Sequence, residues 1–74
     1  MDYTEILKIV ENNLDPKYDY VIDEIKVQIS SGSTGGEIGS LVGAYLKSLR
    51  DQHHPAYLLI KEEVDSYLSS FTFK

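Results

Sequence analysis

The sequence lacks the residues that hold a small domain together by covalent or metal bonds. It has no cysteine, so it forms no disulfide and offers no thiolate ligand. Its two histidines, His53 and His54, are adjacent, and neighbouring residues on a helix point about 100° apart. We therefore expect no metal site and no cofactor. A chain of 74 residues buries roughly 60% of its unfolded surface, so apolar packing, alone or with a partner, must stabilise it.

The sequence also lacks a long apolar run. No stretch approaches the roughly 20 apolar residues that span a bilayer. The N-terminus, MDYTEILK, has neither the basic start nor the apolar centre of a signal peptide. Together with the absence of cysteine, this pattern predicts a cytoplasmic protein.

Basic residues are scarce in the first half of the chain. Residues 1–37 carry eight acids and three lysines, a balance of −5, whereas residues 38–74 carry four charges of each sign. The eight acids are Asp2, Glu5, Glu11, Asp15, Asp19, Asp23, Glu24 and Glu37. Nucleic acid and anionic membranes bind basic surfaces, so we expect neither as a partner. Such a charge suits a basic protein partner, but ordinary solubilising charge is the interpretation that it favours by itself.

Apolar residues recur at helical spacing in four segments. They are Ile6, Leu7, Ile9, Val10 and Leu14; Tyr18, Val21, Ile22, Ile25 and Ile29; Ile38, Leu41, Val42, Tyr45, Leu46 and Leu49; and Tyr57, Ile60, Val64, Tyr67 and Phe71, widened by Leu58, Leu59 and Leu68. Short connections place successive helices as antiparallel neighbours. The sequence predicts an all-α fold: a single domain, residues 1–74, that forms a small antiparallel bundle of four helices.

Capping residues stand where these helices should begin and end. Asp2 is predicted to cap the first helix, and Pro16 to end it. Asp19 is the expected N-cap of the second helix. At the fourth helix, His54 is expected to cap a start at Pro55, which suits the first helical position.

The second segment, YDYVIDEIKVQIS, is open to two interpretations. Ile25, Val27 and Ile29 alternate like a strand, and the segment is rich in β-branched and aromatic residues. A helix over residues 18–30 misplaces only Val27, and a lone strand would have unpaired edges. The pattern therefore favours a helix.

The glycine-rich stretch ISSGSTGGEIG, residues 29–39, invites a phosphate-loop interpretation. A Walker A loop needs a lysine after its second glycine, but here Glu37 follows Gly36. A structural interpretation explains more of the stretch. Gly32 is predicted to end the second helix in the left-handed conformation, and Thr34 and Glu37 to form a capping box for the third.

One side of the predicted third helix lacks side chains at four positions, which are Gly35, Gly36, Gly39 and Gly43. Glycine inside a helix costs about 1 kcal/mol relative to alanine, so this placement needs a reason. Close approach of another helix is the usual one. We assign these residues to a helix-packing contact within the chain or to a contact between two copies of it.

Tyrosines and acids occur together at the start of the second helix, as Tyr18, Asp19, Tyr20, Asp23 and Glu24. Tyrosine is frequent among the residues that dominate binding energies, and carboxylates speed association with a basic partner. We therefore predict that these five residues contact a protein partner. Packing at a helix start is the alternative for Tyr18 and Tyr20.

The function expected from the sequence is binding rather than catalysis. No serine lies in a nucleophile elbow, and a bundle this small has little interior in which to shift a pKa. In size, acidity and predicted helicity the chain resembles bacterial immunity proteins, and this resemblance implies an inhibitor that masks a basic surface, such as that of a nuclease toxin. The alternative is a self-associating helical module, a homodimer built on the glycine side of the third helix.

Overall fold

The computed structural model describes residues 2–70, in which every regular element is a helix. The helices are α1 (Tyr3–Asn13), α2 (Asp19–Ser31), α3 (Gly35–Asp51), α4 (Pro55–Leu59) and α5 (Lys61–Ser69), and a 3₁₀ turn (Pro16–Tyr18) precedes α2. The predicted all-α bundle is confirmed. The ambiguous second segment is helical, and Val27, the one residue that did not fit its stripe, is 52% exposed.

The core is built from the predicted apolar stripes. The side chains it buries most completely are Ile6, Val10, Val21, Ile25, Val42, Leu46, Ile60, Val64 and Tyr67. α2 packs along α3, and α5 packs against both α3 and α1. No buried side-chain nitrogen or oxygen among residues 2–70 lacks a hydrogen-bond partner, so the core carries little of the penalty for unsatisfied polar groups.

The start of α1 follows the prediction. The Asp2 carboxylate accepts hydrogen bonds from the N–H groups of Thr4 and Glu5, both at 3.0 Å, and from the Thr4 hydroxyl. The Thr4 hydroxyl and the Glu5 N–H hold the pKa of Asp2 below its ordinary value. Met1 lies outside the described residues.

The start of α2 differs from the prediction. Tyr18 is the N-cap residue, and Asp19 is already helical, so the expected Asp19 cap is wrong. The physical reason is the 3₁₀ turn. Tyr18 donates its N–H to the Asp15 carbonyl at 2.8 Å, and the N–H of Asp19 bonds to the Pro16 carbonyl. The chain is therefore already helical at Asp19, whose carboxylate lies in the first turn of α2 and complements the helix dipole there.

The joint between α2 and α3 also corrects a prediction. Gly32 is extended, with φ −90° and ψ 152°, and not left-handed. It is nevertheless tightly placed, because a Cβ atom here would lie 2.5 Å from Ile38 Cγ1 and 3.0 Å from the Ile38 backbone. The predicted Thr34 cap is confirmed, because Glu37 donates its N–H to Thr34 Oγ1 at 3.2 Å. The return bond of the capping box differs from the prediction, since the Glu37 carboxylate accepts the N–H of Ser33, at 3.3 Å, and not that of Thr34.

The predicted fourth helix is divided at Ile60. This residue has φ −126° and ψ 25° and separates α4 from α5. Its buried side chain offers no capping atom, and Glu62 and Glu63 in the first turn of α5 complement the helix dipole instead. Leu68 is buried as expected, but Leu58 and Leu59 are 61% and 52% exposed. Phe71 lies outside the described residues.

Within residues 2–70, no helix combines the length and the apolar character needed to cross a membrane.

Two glycine substitutions at this joint are expected to have opposite effects. Gly32→Ala places a methyl group against the start of α3, so we expect a loss of about 1–3 kcal/mol in the free energy of unfolding. Gly36→Ala is the matched control, because its new methyl group meets nothing within 4 Å and alanine favours the helix by up to about 1 kcal/mol. Urea unfolding measures both, and equal stabilities would contradict the close contact at Gly32.

Candidate functional site

The five predicted contact residues lie together in the structure. Tyr18 belongs to the 3₁₀ turn, and Asp19, Tyr20, Asp23 and Glu24 belong to the first half of α2. We call these five residues the α2 surface. Asp19, Tyr20 and Asp23 are exposed, and Tyr18 and Glu24 are half-buried. Because Tyr20 is 54% exposed, it is available for contact with another molecule.

A shallow acidic groove runs beside the α2 surface. It has a volume of about 360 Å³ and is lined by Glu11 of α1 and by Asp19, Ile22, Asp23 and Lys26 of α2. The Lys26 ammonium lies 3.8 Å from the Glu11 carboxylate. Since three carboxylates face one ammonium, the groove keeps a net negative charge and favours a cationic side chain.

A hydrogen bond fixes the Tyr20 ring. The Tyr20 hydroxyl lies 2.8 Å from Nε2 of His54, which precedes α4. The other ring nitrogen, Nδ1, accepts the N–H of Ala56 at 3.0 Å, so it carries no proton. The proton of a neutral imidazole is then on Nε2, and we assign His54 as the donor to the Tyr20 oxygen.

Three aromatic rings surround this hydrogen bond. The Tyr18, Tyr20 and His54 rings meet edge to face, with centroids 5.9–6.3 Å apart. This is the preferred geometry of aromatic pairs. The Lys17 ammonium lies 5.2 Å from the Tyr18 ring centroid, within the range of a cation–π contact. The cluster therefore joins the start of α2 to the start of α4.

His53 and His54 lie in the turn that ends α3 and begins α4. His53 has φ 53° and ends α3: its N–H bonds to the Arg50 carbonyl, and the His54 N–H bonds to the Leu49 carbonyl. These two bonds form a Schellman motif, whose left-handed residue is usually glycine. The prediction of a polar turn with His54 capping α4 is confirmed.

Glu24 faces α3 from the inner edge of the α2 surface. Burial raises the pKa of the Tyr45 hydroxyl, and the negative charge of Glu24 raises it further. A neutral tyrosine next to this carboxylate is therefore the stable state at neutral pH. The charge of Glu24 acts on α3 as well as on the solvent side of α2.

The four glycines of α3 divide into two pairs. Gly39 and Gly43 are buried, and the Gly39 carbonyl accepts a hydrogen bond from the buried Tyr67 hydroxyl at 2.9 Å. Gly35 and Gly36 are exposed, and a Cβ atom at either would meet nothing within 4 Å. The structure thus places the first pair in the packing of the chain and the second pair at its surface.

The site offers charge and aromatic surface rather than reactive groups. Among residues 2–70, no three His, Asp or Glu side chains are grouped so that they could hold a metal ion. A second shallow groove, of about 190 Å³, is lined by Lys47, Arg50, Asp65, Leu68 and Ser69.

The chain matches no model of a protein family, no curated protein and no solved structure.

The His54 cap is expected to contribute measurably to stability. His54→Ala removes the bonds to Ala56 and Tyr20, and we expect it to lower the free energy of unfolding by about 1–2 kcal/mol. His54→Asn should recover the part of this loss that comes from the cap, because its side-chain oxygen can accept the Ala56 N–H. Urea unfolding of both variants checks this, and equal losses would argue against the cap.

Tyr67 should make stability fall in strong alkali. Burial raises the pKa of its hydroxyl to about 12, helped by the negative charge of Asp2, whereas an unfolded tyrosine titrates near 10. Because the folded pKa is the higher one, this contribution is complete below about pH 10 and is lost as the pH rises through about 12.

We expect Tyr67→Phe to cost about 1–2 kcal/mol at neutral pH and to weaken the alkaline fall. Urea unfolding from neutral pH to pH ~12 measures both effects. Tyr18→Phe is the control, because Tyr18 is only half-buried. A Tyr67→Phe variant with unchanged stability and an unchanged alkaline profile would contradict the role of the buried hydroxyl.

Proposed function

We propose that this protein is a non-catalytic module that binds a basic protein and masks part of its surface, as an immunity-type inhibitor does. The observation that carries the proposal is the α2 surface itself. Asp19 and Asp23 are exposed on the same helix as Tyr20, which is 54% exposed, and both line the groove that also contains Glu11.

Electrostatics support a basic partner. The first half of the chain holds the whole surplus of five negative charges, and the α2 surface lies in this half. The field from clustered carboxylates raises the association rate of a positively charged protein and repels nucleic acid. Exposed carboxylates face the solvent, so a lysine or arginine of a partner can reach them.

The aromatic cluster supports tight binding as well as fast association. Residues that dominate a binding energy are enriched in tyrosine and lie in ordered, well-packed surroundings. His54 holds Tyr20 by a hydrogen bond of 2.8 Å, and Tyr18 packs edge to face against both rings. Little side-chain freedom is therefore left to lose when a partner covers Tyr20.

Neutralising the α2 surface tests the proposal. The test variant carries Asp19→Asn, Asp23→Asn and Glu24→Gln, and the matched control carries Glu5→Gln, Asp15→Asn and Asp51→Asn. Both variants change the net charge by the same amount. Each is used to capture proteins from a lysate of the native host over a range of salt concentrations, with mass spectrometry of the bound proteins.

We expect the wild-type chain and the control to retain a basic protein, and the test variant to lose it. Bound protein should decrease as salt rises, because screening weakens exposed charge pairs. If the test variant and the control capture the same proteins with the same salt dependence, the α2 surface is not the binding site.

A homodimer built on the glycine side of α3 remains the alternative proposal. The chain itself buries Gly39 and Gly43, so only Gly35 and Gly36 are exposed to a second copy. Their open surroundings are the observation in its favour. Sedimentation at micromolar concentration tests it, and a strict monomer would exclude it.

A further inference from the structure

Two leucines of α4 are exposed although the apolar residues around them are buried. Ala56, Tyr57 and Ile60 are buried, whereas Leu58 and Leu59 are 61% and 52% exposed. α4 is only five residues long, so its inner side contacts the core and its outer side presents both leucines together. Two adjacent leucines in contact with water are unfavourable in a chain of this size, unless a partner covers them.

The two leucines are connected to the α2 surface through His54. The Leu58 N–H bonds to the His54 carbonyl at 3.3 Å, which places the two backbones one helical turn apart. The His54 ring in turn bonds to Tyr20. His54 is the N-cap of α4, so the helix that carries the two leucines begins at the aromatic cluster.

The charge of the groove around the leucines indicates what kind of molecule can bind there. Leu58 and Leu59 line a shallow groove of about 320 Å³ together with Lys61, Glu62 and Glu63. Two carboxylates against one ammonium leave this groove negative. A second copy of the chain would bring its own carboxylates to the contact, and an anionic membrane would be repelled. An apolar segment that carries lysine or arginine matches both the leucines and the glutamates.

We propose that Leu58 and Leu59 form the apolar centre of the partner-binding surface and receive an apolar side chain from a basic amphipathic segment of the partner protein. The proposal rests on the proposed function and deepens it, because it names a second part of the same surface. Glu62 and Glu63 of α5 line the groove beside this centre, which matches the apolar core and polar rim that protein interfaces show.

A synthetic peptide of about four helical turns, with leucine on one face and lysine on the other, is the probe. It is titrated into the ¹⁵N-labelled full chain, and amide shifts are followed by NMR. We expect shifts both in the α2 surface and in residues 54–63. A peptide with serine in place of leucine keeps the charge and is expected to leave the amides of Leu58 and Leu59 unshifted.

Variants of the chain separate the two parts of the surface. Leu58→Ser/Leu59→Ser is expected to weaken peptide binding at least about tenfold, since two large apolar contacts are lost. Val27→Ser is the control for loss of an exposed apolar side chain outside α4, because Val27 belongs to α2 and is also 52% exposed. Circular dichroism establishes that each variant is folded, and both changes are at exposed positions.

The outcomes distinguish the two proposals. If neutralising Asp19, Asp23 and Glu24 weakens binding but the double leucine variant does not, this inference is wrong and the proposed function stands. If neither change has an effect, both fail. Equal weakening by Val27→Ser, equal binding of the serine peptide, or no binding of the leucine peptide also overturns the inference. So does a dimer of the free chain that the leucine variant dissociates.

Discussion

The hydrogen bond from the Tyr67 hydroxyl to the Gly39 carbonyl connects the last described helix to the second turn of α3. It requires a buried phenol and a helix backbone that no side chain shields, and the glycine at position 39 provides the latter. A carbonyl oxygen has two lone pairs, so it can accept this bond and keep its helical one. Because the chain has no disulfides, contacts of this kind between distant segments must stabilise the fold.

This contact gives a reason for a glycine at position 39 despite its helical cost, and burial distinguishes Gly43 in the same way. Gly39 and Gly43 are four residues apart and lie on one ridge, which is buried. The cost of about 1 kcal/mol for each glycine is offset by close packing and by a satisfied buried hydroxyl. Gly35 and Gly36 do not share this reason, because nothing in the described chain approaches them.

The helical stripes were predictable because burial repeats with the period of the helix. Ile6, Val10 and Leu14 are buried as their spacing indicated, and Asp2 caps α1 as predicted. The division at Ile60 could not be predicted, since Tyr57, Ile60, Val64 and Tyr67 keep a spacing of three and four through the break. The apolar pattern records which side is buried and carries little information on whether the backbone is continuous.

The joints were less predictable, since they depend on contacts between elements. Gly32 was expected to need a left-handed conformation, but its real constraint is Ile38, which belongs to the next helix. Likewise, the prediction of the α2 surface as a contact site depends on local composition alone. Its link to His54 crosses 34 residues of sequence, and no local pattern pairs a tyrosine with a histidine at that distance.

The turn at His53 and His54 has a consequence for the motion of the surface above it. His53 and His54 end α3 with one backbone hydrogen bond each, and the His54 ring caps the start of α4. No glycine lies in this turn, and Pro55 fixes the next φ angle. The joint therefore has few conformations available, so α4 is oriented before any partner arrives. A surface held in this way loses little conformational entropy on association, which lets a contact of modest area bind firmly.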